Sequence, residues 1–115
     1  MLDWALYRDN FSTPGMRRIW SESATIAAWL KVEKTLAWCQ SDLGLVPVEA
    51  ADRLGQISSE DLDPAALIAD MNTVGRPIVG LVRQLRALVG PEHAPYVHFQ
   101  STTQDAMDTA LALQM

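Results

Sequence analysis

Five polar residues, Ser101, Thr102, Thr103, Gln104 and Asp105, stand together near the end of the chain, in the stretch YVHFQSTTQDAMDTALALQM of Tyr96–Met115. Ser101, Thr102 and Thr103 are all residues that cap helix amino ends. Asp105 follows Thr102 by three positions and Gln104 follows Ser101 by three, so either pair has capping-box spacing. Beyond them Met107, Ala110, Leu111 and Leu113 recur near helical spacing, with Asp105 and Asp108 among the polar neighbours. The open amino end of a helix carries N–H groups without intrahelical partners, and its dipole favours negative charge. Hydroxyls and amides gathered there could hold a substrate carboxylate. The plainer alternative is that Thr102 caps the helix and Asp105 returns the hydrogen bond.

The elements that must place this turn follow from apolar spacing and punctuation. Asp9–Gly15 reads as a loop. Thr13-Pro14 then opens a short helix with Met16, Ile19 and Trp20 on its apolar side, leaving Arg17 and Arg18 to solvent. Ser21 or Ser23 caps a long helix to Leu43, stopped by Gly44, with Ile26, Trp29, Leu30, Leu36, Ala37 and Leu43 as its buried stripe; Glu33 on its flank reads as structural, with a catalytic role as the alternative. Pro47 opens a helix over about Val48–Ile57, and Ser58–Asp61 is a turn. Asp63-Pro64 opens another helix, and Thr73–Arg76 is a polar break. Pro77 starts a helix through Val89, with Ile78, Leu81, Val82, Leu85 and Leu88 apolar and Arg83, Gln84 and Arg86 polar; it should pack on the long helix. Gly90-Pro91 ends it, and Glu92–Gln100 is a loop holding both histidines. No run has strand periodicity, so the fold class is all-α.

The bulk numbers exclude several classes. The chain has 115 residues, 49% hydrophobic and 20% charged, as in an ordinary small globular domain. Its net charge of −5 and pI near 4.8 speak against a nucleic-acid partner. No apolar run is long enough to span a membrane, and MLDWALYRDNF lacks the pattern of a signal peptide. One cysteine, Cys39, allows no internal disulfide and reads as a packing residue, so a cytoplasmic location is expected. There is no phosphate-binding glycine loop and no nucleophile elbow. His93 and His98, five apart in one loop with no third ligand nearby, do not make a metal set, and His93 reads as a surface residue.

The string His98-Phe-Gln-Ser-Thr-Thr-Gln-Asp-Ala-Met-Asp-Thr-Ala110 resembles the first signature segment of the fumarase/aspartase superfamily, H-[FWY]-G-[AS]-T-[ST]-x-D-x-x-D-T-A, in the form found in its 3-carboxy-cis,cis-muconate cycloisomerase branch. One departure is Gln100, where the family has Gly; a Gly there would admit a positive φ or a close ligand. Thr13–Glu22 and Trp29–Ala37 are similar to the opening helices of such chains. Met71-Asn-Thr-Val-Gly-Arg-Pro-Ile-Val79 resembles the cycloisomerase string rather than the Arg-His-Asp string of adenylosuccinate lyases.

The resemblance implies an N-terminal helical domain over residues 1–100 and the first turns of a central bundle helix over residues 101–115. It implies addition or elimination next to a carboxylate on a di- or tricarboxylate, with no cofactor and a homo-oligomer, a tetramer in the family. Thr102, Thr103 and Gln104 would bind the substrate carboxylate, with His98 and Ser101 beside them and Asp105 orienting the turn. Arg76 would meet a second carboxylate, since guanidinium suits bidentate binding. Family members are several-fold longer and carry a second histidine segment and a serine loop that this sequence lacks. Met115 falls in a helical pattern without a stop signal, so the expectation is an N-terminal piece of an enzyme or a truncated product. A non-catalytic helical module packing on partner chains, suggested by four tryptophans, is the alternative from another class.

Overall fold

The structure, a computed structural model, describes residues 4–115. The first three residues of the string read for a signal peptide lie outside that range. The described residues form α-helices and two short 3₁₀ turns, with no strand, in agreement with the all-α expectation.

Most helices begin at a capping side chain or beside a proline, whose missing N–H is one that would go unpaired there. Helix α1 is Arg8–Phe11. Thr13 accepts from the Met16 N–H at the start of α2, Pro14–Ile19. Ser21 accepts from the Ala24 N–H at the start of α3, Glu22–Asp42. Beyond it Gly44 turns the chain at φ +72°. Helix α4 is Val48–Gly55. A 3₁₀ turn at Ser59–Asp61 follows, where the Asp61 carboxylate accepts from Ser58 N–H at 2.7 Å, and this bond holds its carboxyl below the ordinary carboxylate range. Asp63 caps α5, Pro64–Val74, and Gly75 closes it at φ +72°. Helix α6 is Pro77–Val89 and α7 is Thr103–Gln114, with the second 3₁₀ turn at Ala94–Tyr96 between them.

The core forms where α3, α4, α6 and α7 converge. Leu54, Ile78, Leu81 and Leu85 are fully buried there with Leu30, Ala37, Val97 and Ala106 around them. Each fully buried Leu or Ile contributes roughly 1.5–3 kcal/mol of transfer free energy, so α6, which supplies three of the four largest, anchors the domain. The body measures 52 × 28 × 23 Å with a radius of gyration of 15.7 Å. A compact chain of this length would have about 13 Å. The elongation leaves apolar side chains open, among them Trp38, Leu111 and Leu113.

Several local expectations change. Part of the expected Asp9–Gly15 loop is helical, as α1. Arg17 is not left to solvent: it donates to the Arg8 and Ser12 carbonyls and pairs with Asp9 at 3.0 Å. The Val48 helix stops at Gly55, and α5 runs to Val74, so the polar break shrinks to Gly75-Arg76. Leu43 is 74% exposed, because it follows the last turn of α3 rather than riding the stripe. Cys39 is exposed, and His93 is half-buried under the turn it begins. Leu111 and Leu113 are exposed, while Ala106 and Ala110 carry the buried face of α7. Helices α3 and α6 share the core but are not nearest neighbours: α3 lies along α4 and α7, and α6 along α5.

The α5–α6 crossing depends on Gly80, where a Cβ would sit 2.9 Å from Asp70 Cβ. Asp70 is itself held there by an ion pair with Arg83. Alanine gains up to about 1 kcal/mol of helix propensity over glycine, but overpacking costs about 1–3 kcal/mol. Gly80→Ala should therefore lower the melting temperature. A rise would mean that α5 can move aside freely.

Candidate functional site

Helical spacing along α3 runs Leu30, Glu33, Ala37, Gln40, so a carboxylate and an amide interrupt an otherwise apolar stripe. Glu33 is 1% exposed. An isolated buried carboxylate is costly unless it is paired and hydrogen-bonded. Its partner is His98, 65 positions away, whose Nδ1 lies 2.7 Å from Glu33 Oε1. Two turns further on, Gln40 Nε2 donates to the Phe99 carbonyl at 2.8 Å. From the other side Arg86 Nη2 donates to the Val97 carbonyl at 3.3 Å. Three consecutive residues, Val97, His98 and Phe99, are thus tied to the two long helices.

These ties hold a backbone that departs from ordinary geometry. His98 has φ +60° and Gln100 has φ +53°, both in the left-handed region. That conformation costs a non-glycine residue roughly 1–2 kcal/mol. The chain thereby turns sharply into α7, and Thr102 N–H donates to Asp105 Oδ2 at 2.9 Å. Asp105 thus makes its half of the capping box that the spacing predicts, while the Asp105 N–H donates to the Thr102 backbone carbonyl at 3.1 Å.

His98 and Thr103 share a cleft of about 430 Å³ with Val79, Val82, Arg83 and Arg86. One end is the amino terminus of α7, and the wall is a face of α6 carrying two guanidinium groups. Positive charge, hydroxyl and imidazole converge there, a combination suited to an anion. The other expected residues separate from it. Thr102 is the exposed cap itself. Ser101 and Asp105 line a second groove, between α3 and α7, with Lys31, Val32 and Leu36. Gln104 Nε2 is engaged by Asp108 Oδ1 at 2.6 Å. Arg76 is exposed at the N-cap of α6, on the same side of the helix as Val79, Arg83 and Arg86 by its spacing but beyond the cleft lining.

Four participants are not among the sequence-read site residues. Glu33 was expected as a structural flank residue, and Arg83 and Arg86 only as polar positions of α6; Gln40 was not singled out. The signal existed for Glu33 and Gln40, because both fall on the apolar stripe of α3, where a charged or amide side chain needs a buried partner. No three metal-ligating side chains converge among the described residues. No described helix is long and apolar enough to cross a membrane.

No family profile matches the chain. Individual proteins do match it. The N-acetyl-S-(2-succino)cysteine lyase of Enterococcus italicus is 36% identical over 116 residues, covering 100% of this chain and 25% of that protein. The crystal structure of beta-carboxy-cis,cis-muconate cycloisomerase from Acinetobacter calcoaceticus matches with a TM-score of 0.87 at 30% identity, over 95% of this chain and 27% of that one. The 3-carboxy-cis,cis-muconate lactonizing enzyme from Pseudomonas putida matches at 0.86 and 35% identity, over 95% and 26%. The chain belongs to the fumarase/aspartase superfamily. Its fold is that of the superfamily's helical N-terminal domain, as the His98–Ala110 string suggests. The chain spans about a quarter of the length of these relatives.

Gln100 occupies the position where the resemblance expects Gly, and it adopts the positive φ that a Gly would take without strain. Gln100→Gly should raise stability by about 0.5–1 kcal/mol, after allowing for the greater freedom of glycine in the unfolded chain. Thermal melting checks this. A fall would show that the glutamine side chain contributes more than its backbone strain costs.

Proposed function

We propose that the protein carrying this chain is a cycloisomerase-type enzyme acting on a di- or tricarboxylate such as a carboxymuconate. The observation that carries this reading is the shared cleft of His98, Thr103, Arg83 and Arg86 at the amino end of α7. In the forward reaction an internal carboxylate oxygen forms a C–O bond to one carbon of a double bond. The π pair moves toward the neighbouring carboxylate, giving an aci-carboxylate with extra negative charge, and a proton then adds to the adjacent carbon. Thr103 and the first N–H groups of α7 meet that charge, an oxyanion-type role. Thr102 and Asp105 shape the turn, and Gln104 and Ser101 flank it. Arg76, with the two cleft arginines, takes a further carboxylate. The groups that move the proton come from outside these 115 residues.

The reading includes no cofactor, a cytoplasmic location and a homo-oligomer. Exposed Trp38, Leu111 and Leu113 support the last point, since large apolar side chains are common where chains pack together. A second reading, reversible elimination without lactone formation, is favoured by the Enterococcus lyase being as similar as the Pseudomonas lactonizing enzyme, at 36% against 35% identity. Both readings place a substrate carboxylate at the same helix end and differ in the fate of the bond two atoms away.

The isolated 115-residue chain should turn over neither carboxymuconate, fumarate nor adenylosuccinate; measurable turnover by the pure chain contradicts that. In the intact enzyme, Thr102→Ala should cost about 1 kcal/mol of stability with little kinetic change. Thr103→Ala should lower kcat/KM by on the order of 100-fold at a temperature where it is fully folded. Melting and kinetics on the two variants separate the roles. Near-normal kcat/KM in both would leave helix capping as the whole purpose of this turn.

A further inference from the structure

We infer that Glu33 is the positioning residue for His98, fixing its ring with Nδ1–H turned into the core and Nε2 left for the ligand. The functional consequence rests on the carboxylate-site reading, whereas the ring geometry does not. Glu33 Oε1 lies 2.7 Å from Nδ1, the acid side chain is fully buried, and the imidazole is 11% exposed. An ionised carboxylate can only accept, so the proton of that bond belongs to Nδ1. A neutral imidazole has a single N–H, and pinning it on Nδ1 leaves Nε2 as a free lone pair. In the charged ring Nε2 becomes a donor. In both states Nε2 is the nitrogen available to the cleft that His98 lines.

Packing alone gives no reason for an acid at this position. Leu30 and Ala37 show what the stripe of α3 otherwise holds, and an apolar side chain would fill the space without desolvating a charge. Oε2 of Glu33 has no donor among the described residues, so the carboxylate is used through one oxygen, the one on His98. The histidine backbone is left-handed at φ +60°, which sends its side chain toward α3 at the cost of local strain. A buried carboxylate behind a histidine is the usual means of setting its tautomer and ring orientation.

The test combines a spectroscopic and a kinetic measurement. Nitrogen-15 NMR of histidine-labelled 115-residue chain should show His98 as the Nδ1–H tautomer. Glu33→Gln, which keeps an acceptor oxygen, should retain it, while Glu33→Met should shift the ring toward Nε2–H. In the intact enzyme Glu33→Met should lower kcat/KM at least 10-fold and Glu33→Gln only a few-fold, both measured where melting shows them folded. In a His98→Gln background, Glu33→Met should add no further loss. A wild-type Nε2–H tautomer, or an equal loss from Glu33→Met with and without His98, overturns the inference. Full kcat/KM in His98→Gln beside the expected tautomer would instead overturn the carboxylate-site reading and leave the ring assignment standing.

Discussion

The hydrogen bond between Glu33 and His98 joins parts of the chain 65 residues apart, and the geometry of the site depends on it. Removing one partner of a buried hydrogen bond leaves the other group unsatisfied, which typically costs about 1–3 kcal/mol, a large share of the stability of a domain this size. The bond also has a direction. It pulls the loop before α7 onto the middle of α3, and Gln40 and Arg86 tie the residues on either side of His98. With three adjacent residues fixed, the amino end of α7 cannot slide along α3. Thr103 is thereby presented to the face of α6 that carries Arg83 and Arg86.

The relative size of the electrostatic effects is the reason the cleft, and not the helix end alone, is proposed as the anion site. An exposed helix terminus attracts an anion by about 0.3–1 kcal/mol. That is too little to hold a small carboxylate in water. Charge-assisted bonds from guanidinium groups are roughly twice as strong as neutral ones and can be bidentate. The two arginines are not idle while unliganded. Arg83 pairs with Asp70, and Arg86 holds the Val97 carbonyl, each through one nitrogen, so the remaining N–H donors are the ones an anion would meet.

Much of the fold was legible because its signals are local. Thr13-Pro14, Asp63-Pro64 and Arg76-Pro77 each mark a helix start, and Gly44, Gly75 and Gly90 all take positive φ at a helix end. The capping box at Thr102 and Asp105 was legible for the same reason. What the sequence hid is long-range. Nothing local shows that α3 packs on α7 rather than α6, since both offer apolar stripes. Gln104 looked free because its engagement with Asp108 is a side-chain choice within one helix. Arg83 and Arg86 read only as polar positions of their helix because the cleft they line exists only once α6 faces the His98 loop. Glu33 lies between these cases: its helical spacing from Leu30 and Ala37 is in the sequence, yet it reads as a flank residue there because its buried partner is 65 positions away.

The central claim is that the Glu33-anchored loop presents His98 and Thr103 together to a substrate carboxylate. A crystal structure of the intact protein soaked with a non-reacting tricarboxylate would test it most directly. The expected result is one carboxylate within about 3 Å of both His98 Nε2 and the Thr103 hydroxyl or N–H, with Nδ1 still on Glu33. A carboxylate bound elsewhere, with the His98–Thr103 cleft holding only water, would contradict the account.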